Sequence, residues 1–64
     1  MVSYEKYAEI RDKRGMTDYA VAKETGISAS TFSEWKSGAY VPKLDKIVKI
    51  CKLLCVTIEE IADI

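Results

Sequence analysis

The sequence predicts an all-α fold, a compact bundle of five short helices. Three observations carry that expectation. Apolar residues recur at helical spacing, most clearly Leu44, Ile47, Ile50, Cys51 and Leu54, which fall within about 100° of arc on a helical wheel. Ser3, Thr17, Ser28 and Thr57 stand where helices would start, and Gly15, Gly26 and Gly38 where they would stop. No stretch alternates polar and apolar residues as a strand would, and there is no internal repeat or low-complexity tract.

The first helix is expected over about Tyr4 to Arg14, with Ser3 as its cap, Tyr7 and Ile10 on one face, and Gly15 as the left-handed residue that ends it. The second covers about Asp18 to Thr25. Thr17 is its N-cap, Val21 and Ala22 point inward, and Gly26 stops it. The third starts after the cap Ser28 and runs to Ser37, with Phe32 and Trp35 facing the core and Gly38 closing it. Ala39 to Pro42 then reads as a loop. The fourth spans about Lys43 to Leu54, with Lys49 and Lys52 opposite its apolar arc. Leu53 falls outside that arc and, with Ile58, Ile61 or Ile64, is a candidate dimer patch. The fifth begins at Thr57, where Thr57-Ile58-Glu59-Glu60 has the form of a capping box and Ile58 and Ile61 give an apolar side.

A chain of 64 residues is expected to be one domain, 1–64, near the lower limit for folding without disulfides, metals or a partner. Its low Gly and Pro content argues against disorder or a fibrous protein. No apolar run approaches a membrane span, because Lys43, Lys46, Lys49 and Lys52 interrupt the richest segment. The N-terminus lacks the basic-then-apolar order of a secretory signal, so a cytoplasmic location is expected. Histidine is absent, and Cys51 and Cys55 cannot close a zinc site without further ligands, so no metal and no cofactor are expected. Both thiols read as small buried apolar groups, with a redox switch as the alternative. Nor is there a catalytic set: Asp18, Glu34 and Asp45 lie in unrelated segments and there is no Gly-rich phosphate loop, so an enzyme is not expected.

The most informative stretch runs from Gly15 to Gly38. It holds two short helical patterns separated by Thr25-Gly26-Ile27-Ser28, a turn too tight to be a flexible linker. The second pattern opens with Ser28-Ala29-Ser30-Thr31 and turns Ala29, Ser30, Ser33, Glu34 and Ser37 away from Phe32 and Trp35. An apolar inner face behind a small polar outer face is the layout of a helix-turn-helix, about 17–37, that sets its second helix into the DNA major groove. Net charge is formally zero, yet Lys36, Lys43, Lys46, Lys49 and Lys52 outnumber Glu34 and Asp45 in the middle of the chain. A neutral protein so patterned can still present a positive face to phosphate, although Lys46, Lys49 and Lys52 read as an ordinary solvated face.

At this point the chain resembles the Cro/CI-like (XRE-type) helix-turn-helix family of phage repressors and small bacterial regulators. The residues that carry the resemblance are Ile10-Arg11, Gly15-Met16-Thr17, Val21-Ala22, Gly26-Ile27-Ser28, Phe32-Ser33, Trp35, Ser37-Gly38, Val41-Pro42 and the tail from Ile50 to Ile61. The resemblance implies a lambda-repressor-like fold and double-stranded DNA as partner. It implies base reading by Ala29, Ser30, Thr31 and Glu34. It implies DNA-backbone contacts from Thr17, Ser28, Ser33, Lys36 and Lys43, with backbone amides around Tyr40. A homodimer on a two-fold operator follows, with half-sites roughly 34 Å apart. Four residues depart from the family pattern. Asp18 replaces a frequent Gln that grips phosphate, and a carboxylate repels it. Lys36 replaces a Glu able to pair with the Arg of the first helix, here Arg11. Ala29 replaces a common Gln, leaving an apolar contact of the kind a thymine methyl makes. Cys55 replaces a frequent Gly at the end of the fourth helix. Two alternative readings stand beside the transcriptional regulator: a protein-interaction module or antitoxin of the same fold, favoured by neutral charge, Asp18 and Glu34, and the DNA-binding fragment of a longer repressor.

Overall fold

The computed structural model describes residues 2–62. Five helices follow in order: α1 (Tyr4–Lys13), α2 (Asp18–Thr25), α3 (Ala29–Ser37), α4 (Leu44–Leu54) and α5 (Ile58–Ile61). Every helix sends at least one essentially unexposed side chain to a common centre: Tyr7 from α1, Val21 from α2, Phe32 from α3, Ile47, Ile50 and Leu54 from α4, and Ile61 from α5. The second helix packs against both α3 and α4, while α1 packs against α3 and α5. The all-α expectation holds, with helix bounds within a residue or so of those read from caps and periodicity.

The caps explain those bounds. Ser3 Oγ accepts the Lys6 N–H at 3.3 Å, and Thr17 Oγ1 accepts the Ala20 N–H at 3.1 Å. Glu60 reaches back to accept the Thr57 N–H at 2.7 Å, the carboxylate arm of the capping box expected there. Gly26 and Gly38 close α2 and α3 in the left-handed region, at φ 76° and 85°. The first helix stops at Lys13 with Arg14 as its C-cap, and Lys43 is the N-cap of α4 rather than its first residue.

Several expectations need correction. Leu44, the first residue of α4, is 67% exposed although helical spacing puts it in the apolar arc. Leu53, expected outside, is half-buried against the core, as is Ile58, and Ile61 is fully buried. The dimer patch suggested for these residues is thus largely spent on the core, and Ile64 lies outside the described residues. Cys51 is buried as expected, but Cys55 is exposed. The sequence also gave no warning of the closure between the ends of the chain. Val2 and Ala62 form an isolated antiparallel bridge, the Ser3 N–H donates to the Ile61 carbonyl at 2.7 Å, and Lys6 Nζ donates to the Ala62 carbonyl at 2.8 Å.

Cys55 occupies the left-handed C-cap of α4, at φ 58° and ψ 43°, and is the only non-glycine residue with positive φ among those described. Its Cβ crowds the backbone there, a strain that glycine lacks. The substitution Cys55→Gly is expected to stabilise the domain by about 0.5–1 kcal/mol, the strain relieved being partly offset by the freer unfolded glycine chain. Thermal unfolding checks this: the midpoint should rise by about 2–8 °C, on the scaling for a domain of this size. An unchanged or lower midpoint would show that Cys55 is unstrained.

Candidate nucleic-acid interface

The orientation of α3 is set by aromatic packing behind it. Phe32 and Trp35, one turn apart, are buried, and Tyr7 of α1 stacks on Trp35 with ring centroids 5.0 Å apart and planes 27° apart. Tyr4 meets Trp35 edge-on at 5.4 Å, and Tyr7 lies 5.7 Å from Phe32. Such aromatic contacts are directional, so they fix the rotation of α3 about its axis as well as burying area. With the inner face held, Ala29, Ser30, Ser33, Glu34, Lys36 and Ser37 are exposed on the other side.

The turn between α2 and α3 is equally constrained. Gly26 donates its N–H to the Ala22 carbonyl at 2.9 Å. Thr25 Oγ1 donates to the Val21 carbonyl at 2.7 Å and accepts the Ile27 N–H at 3.3 Å. Ile27 is buried beneath the turn, so the angle between the two helices is built in.

At the start of α3 the structure departs from expectation. Ser28 sits at the N-cap position but its hydroxyl does not cap the helix; it lies 2.7 Å from Ser30 Oγ and 3.5 Å from Thr31 Oγ1. The Thr31 N–H is met instead by the Ser28 carbonyl at 3.1 Å. Thr31 itself is only 8% exposed, which removes it from the face where base reading was expected. The backbone amides near Tyr40 need a similar correction. The N–H groups of Ala39 and Tyr40 both donate to the Glu34 carbonyl, at 2.9 and 3.3 Å, so they are already engaged. Lys43 is exposed at the start of α4, with no side chain capping that helix either. Thr17 is exposed, and while its oxygen accepts the Ala20 N–H its hydroxyl hydrogen is free to donate.

Behind this face lies a polar cluster that sequence reasoning missed. Asp18, the first residue of α2, turns inward rather than towards the exposed surface. Its Oδ2 accepts the Tyr4 hydroxyl at 2.6 Å, and its Oδ1 accepts the Tyr7 hydroxyl and Arg11 Nη1, both at 2.7 Å. Arg11 also donates to the Tyr4 oxygen at 3.0 Å and pairs with Asp12 at 2.9 Å. The Arg11 and Asp18 side chains are 16% and 29% exposed, enough burial for the pair to matter. Partial burial pushes the Asp18 carboxyl up, but hydrogen bonds from Tyr4, Tyr7 and Arg11 outweigh it and hold the group below its ordinary value. Burial, and then the hydrogen bond to Asp18, raises both tyrosine hydroxyls, so they remain protonated donors. Burial works against the Arg11 charge, yet its hydrogen bonds to Asp12, Asp18 and Tyr4 prevail and raise its pKa. A signal for this cluster existed: Tyr4, Tyr7 and Arg11 stand at i, i+3 and i+7 on one face of a helix.

Among the described residues no group of His, Cys, Asp or Glu is arranged to hold a metal ion, and no helix is long and apolar enough to cross a membrane. Two short helices joined by a fixed turn, the second locked on its apolar side and presenting short polar residues on the other, define a helix-turn-helix domain of the DNA-binding class. The sequence model of the Cro/C1-type HTH DNA-binding domain matches residues 8–64, and the chain belongs to that family of DNA-binding regulatory domains. No curated protein and no solved structure gives a significant match to it.

Because the Asp18 pKa is lowered by folding, its ion pair and hydrogen bonds stabilise the domain above the ordinary carboxyl value of 3.8, and that contribution is lost as pH falls through the depressed value. Asp18→Asn is expected to cost about 1–2 kcal/mol near neutral pH. The gap between wild type and variant should then shrink progressively below the ordinary carboxyl value. Urea titrations at several pH values measure this; a gap unchanged between neutral and strongly acidic pH would mean that the carboxylate charge contributes nothing.

Proposed function

We propose that the protein is a sequence-specific, repressor-like transcriptional regulator that inserts α3 into the major groove of a two-fold operator as a homodimer, acting in the cytoplasm. The observation that carries this reading is the division of α3 into a locked aromatic side and an exposed side of short polar residues. Ala29, Ser30 and Glu34 face the bases: Ala29 suits a thymine methyl, Ser30 accepts or donates, and Glu34 accepts from cytosine N4. Thr17, Ser28, Ser33, Lys36 and Lys43 contact the backbone and set the register of the domain on the duplex. Thr31 acts from beneath, through its contact with Ser28 at the turn. Occupying an operator excludes polymerase, and two-fold symmetry places half-sites roughly 34 Å apart.

The inward turn of Asp18 also weighs against the alternative of a protein-binding module. That carboxylate, read as a repulsive charge on the DNA-facing surface, is satisfied inside the domain instead.

Selection of binding sites from random-sequence duplexes tests the proposal, followed by titration of the selected site and a scrambled duplex over a salt series. Enrichment of a two-fold motif bound by two copies is expected. Lys36→Ala and Lys43→Ala should each weaken both duplexes and lower the salt slope by about 0.9, the value of one phosphate contact. Ser30→Ala should instead alter the selected motif. Failure to enrich any sequence, with equally feeble binding to all duplexes, would overturn the reading.

A further inference from the structure

The outer side of α2 carries an exposed aromatic side chain. Tyr19 is 72% exposed, the most exposed large hydrophobic side chain among the described residues. It follows Asp18 directly, yet the two go opposite ways: Asp18 is drawn into the Tyr4, Tyr7 and Arg11 cluster, whereas Tyr19 projects outward. Lys23 stands one turn further along the same face of α2, exposed and without an ion pair among the described residues. These two side chains, with Ala22, Gly26, Ile27 and Ala29, line an open groove of about 340 Å³ at the elbow between α2 and α3.

We propose that this groove is a subsite for the DNA sugar-phosphate backbone, with Tyr19 and Lys23 as the side chains that hold it. The inference rests on the DNA-binding reading above. Three properties favour a phosphodiester as the occupant. The groove is continuous with the DNA-facing surface, because Ala29 is both its wall and the first residue of α3. Its charge complements phosphate: an ammonium stands at the rim and no carboxylate lines it. Ala22 and Ile27 give it an apolar lining, which suits the carbon face of a deoxyribose. The Tyr19 hydroxyl donates to a phosphate oxygen, its ring lies along the sugar, and the Lys23 ammonium pairs with a neighbouring phosphate. An open groove of this kind fits a polymer passing across it better than an enclosed small molecule.

The test compares wild type with Tyr19→Phe, Tyr19→Ala and Lys23→Ala on a selected operator and on a scrambled duplex, over a salt series. Thermal unfolding accompanies it, and the exposed positions should leave the midpoint unchanged. Lys23→Ala is expected to lower the salt slope by about 0.9. Tyr19→Phe should weaken binding about fivefold through one lost hydrogen bond, and Tyr19→Ala more, through lost packing as well. These losses should be the same on both duplexes, since phosphate contacts carry no sequence information. Variants that bind like wild type would overturn the inference while leaving the regulator reading intact, and would mark the groove as a surface for another kind of partner. Losses confined to the operator would also overturn it, by assigning Tyr19 and Lys23 to base reading. A wild-type protein with no salt-dependent DNA binding would overturn the regulator reading and this inference together.

Discussion

The Asp18 carboxylate is the point on which three helices agree. It belongs to α2, it is held by Tyr4, Tyr7 and Arg11 of α1, and the rings of those same tyrosines pack against Trp35 and Phe32 of α3. Each tyrosine therefore works at both ends, with its ring setting α3 and its hydroxyl setting the start of α2. In a domain this small the apolar core alone gives limited rigidity, and a charged acceptor with three short donors adds direction that hydrophobic contact lacks. The relative placement of the two helices of the helix-turn-helix is thus defined from behind, where DNA would not compete for the contacts.

This cluster also connects two departures from the family pattern that look independent in the sequence. By the resemblance, Lys36 replaces a Glu able to pair with Arg11, and Asp18 replaces a frequent Gln. In the structure the carboxylate lost at position 36 has a counterpart at position 18, and Arg11 takes it as a partner. Arg11 thus finds its internal carboxylate partner on α2. The exchange has a consequence for charge: position 36 is left with an exposed cation, while the anion at position 18 is drawn inward and neutralised. Among the described carboxylates Asp18 alone is drawn inward in this way, and the rest are exposed.

Helix positions and the HTH turn were legible because their signals are local. A threonine before α2, glycines after α2 and α3, and the i, i+3 spacing of Phe32 and Trp35 each act within one turn of helix. The left-handed backbone at Cys55 was legible by another route, the family resemblance, in which a Gly is frequent at that place. What local pattern could not supply was partnership at a distance. Asp18 has its ring of donors across a loop, Lys6 reaches Ala62, and Leu44 is left exposed at the start of α4. The fate of Thr31 is instructive in another way. The family resemblance put it among the base readers, whereas one turn before Trp35 it shares the buried side of α3.

The distribution of helix caps follows the same division between structure and surface. Side chains satisfy the first amides of α1 and α2, and Glu60 closes back on Thr57 at α5. At α3 and α4 no side chain does so, since Ser28 is turned to Ser30 and Lys43 has no acceptor to offer. A missing cap costs about 1 kcal/mol, a large share of what a small domain has to spare. The starts of α3 and α4 thus have no side-chain acceptor for their first N–H groups. A serine that capped α3 as firmly as Thr17 caps α2 would make the free protein more stable and leave fewer donors for a phosphate. The uncapped ends thus carry a modest cost that the capped starts of α1 and α2 avoid, and the backbone contact proposed above is the interaction that would offset it.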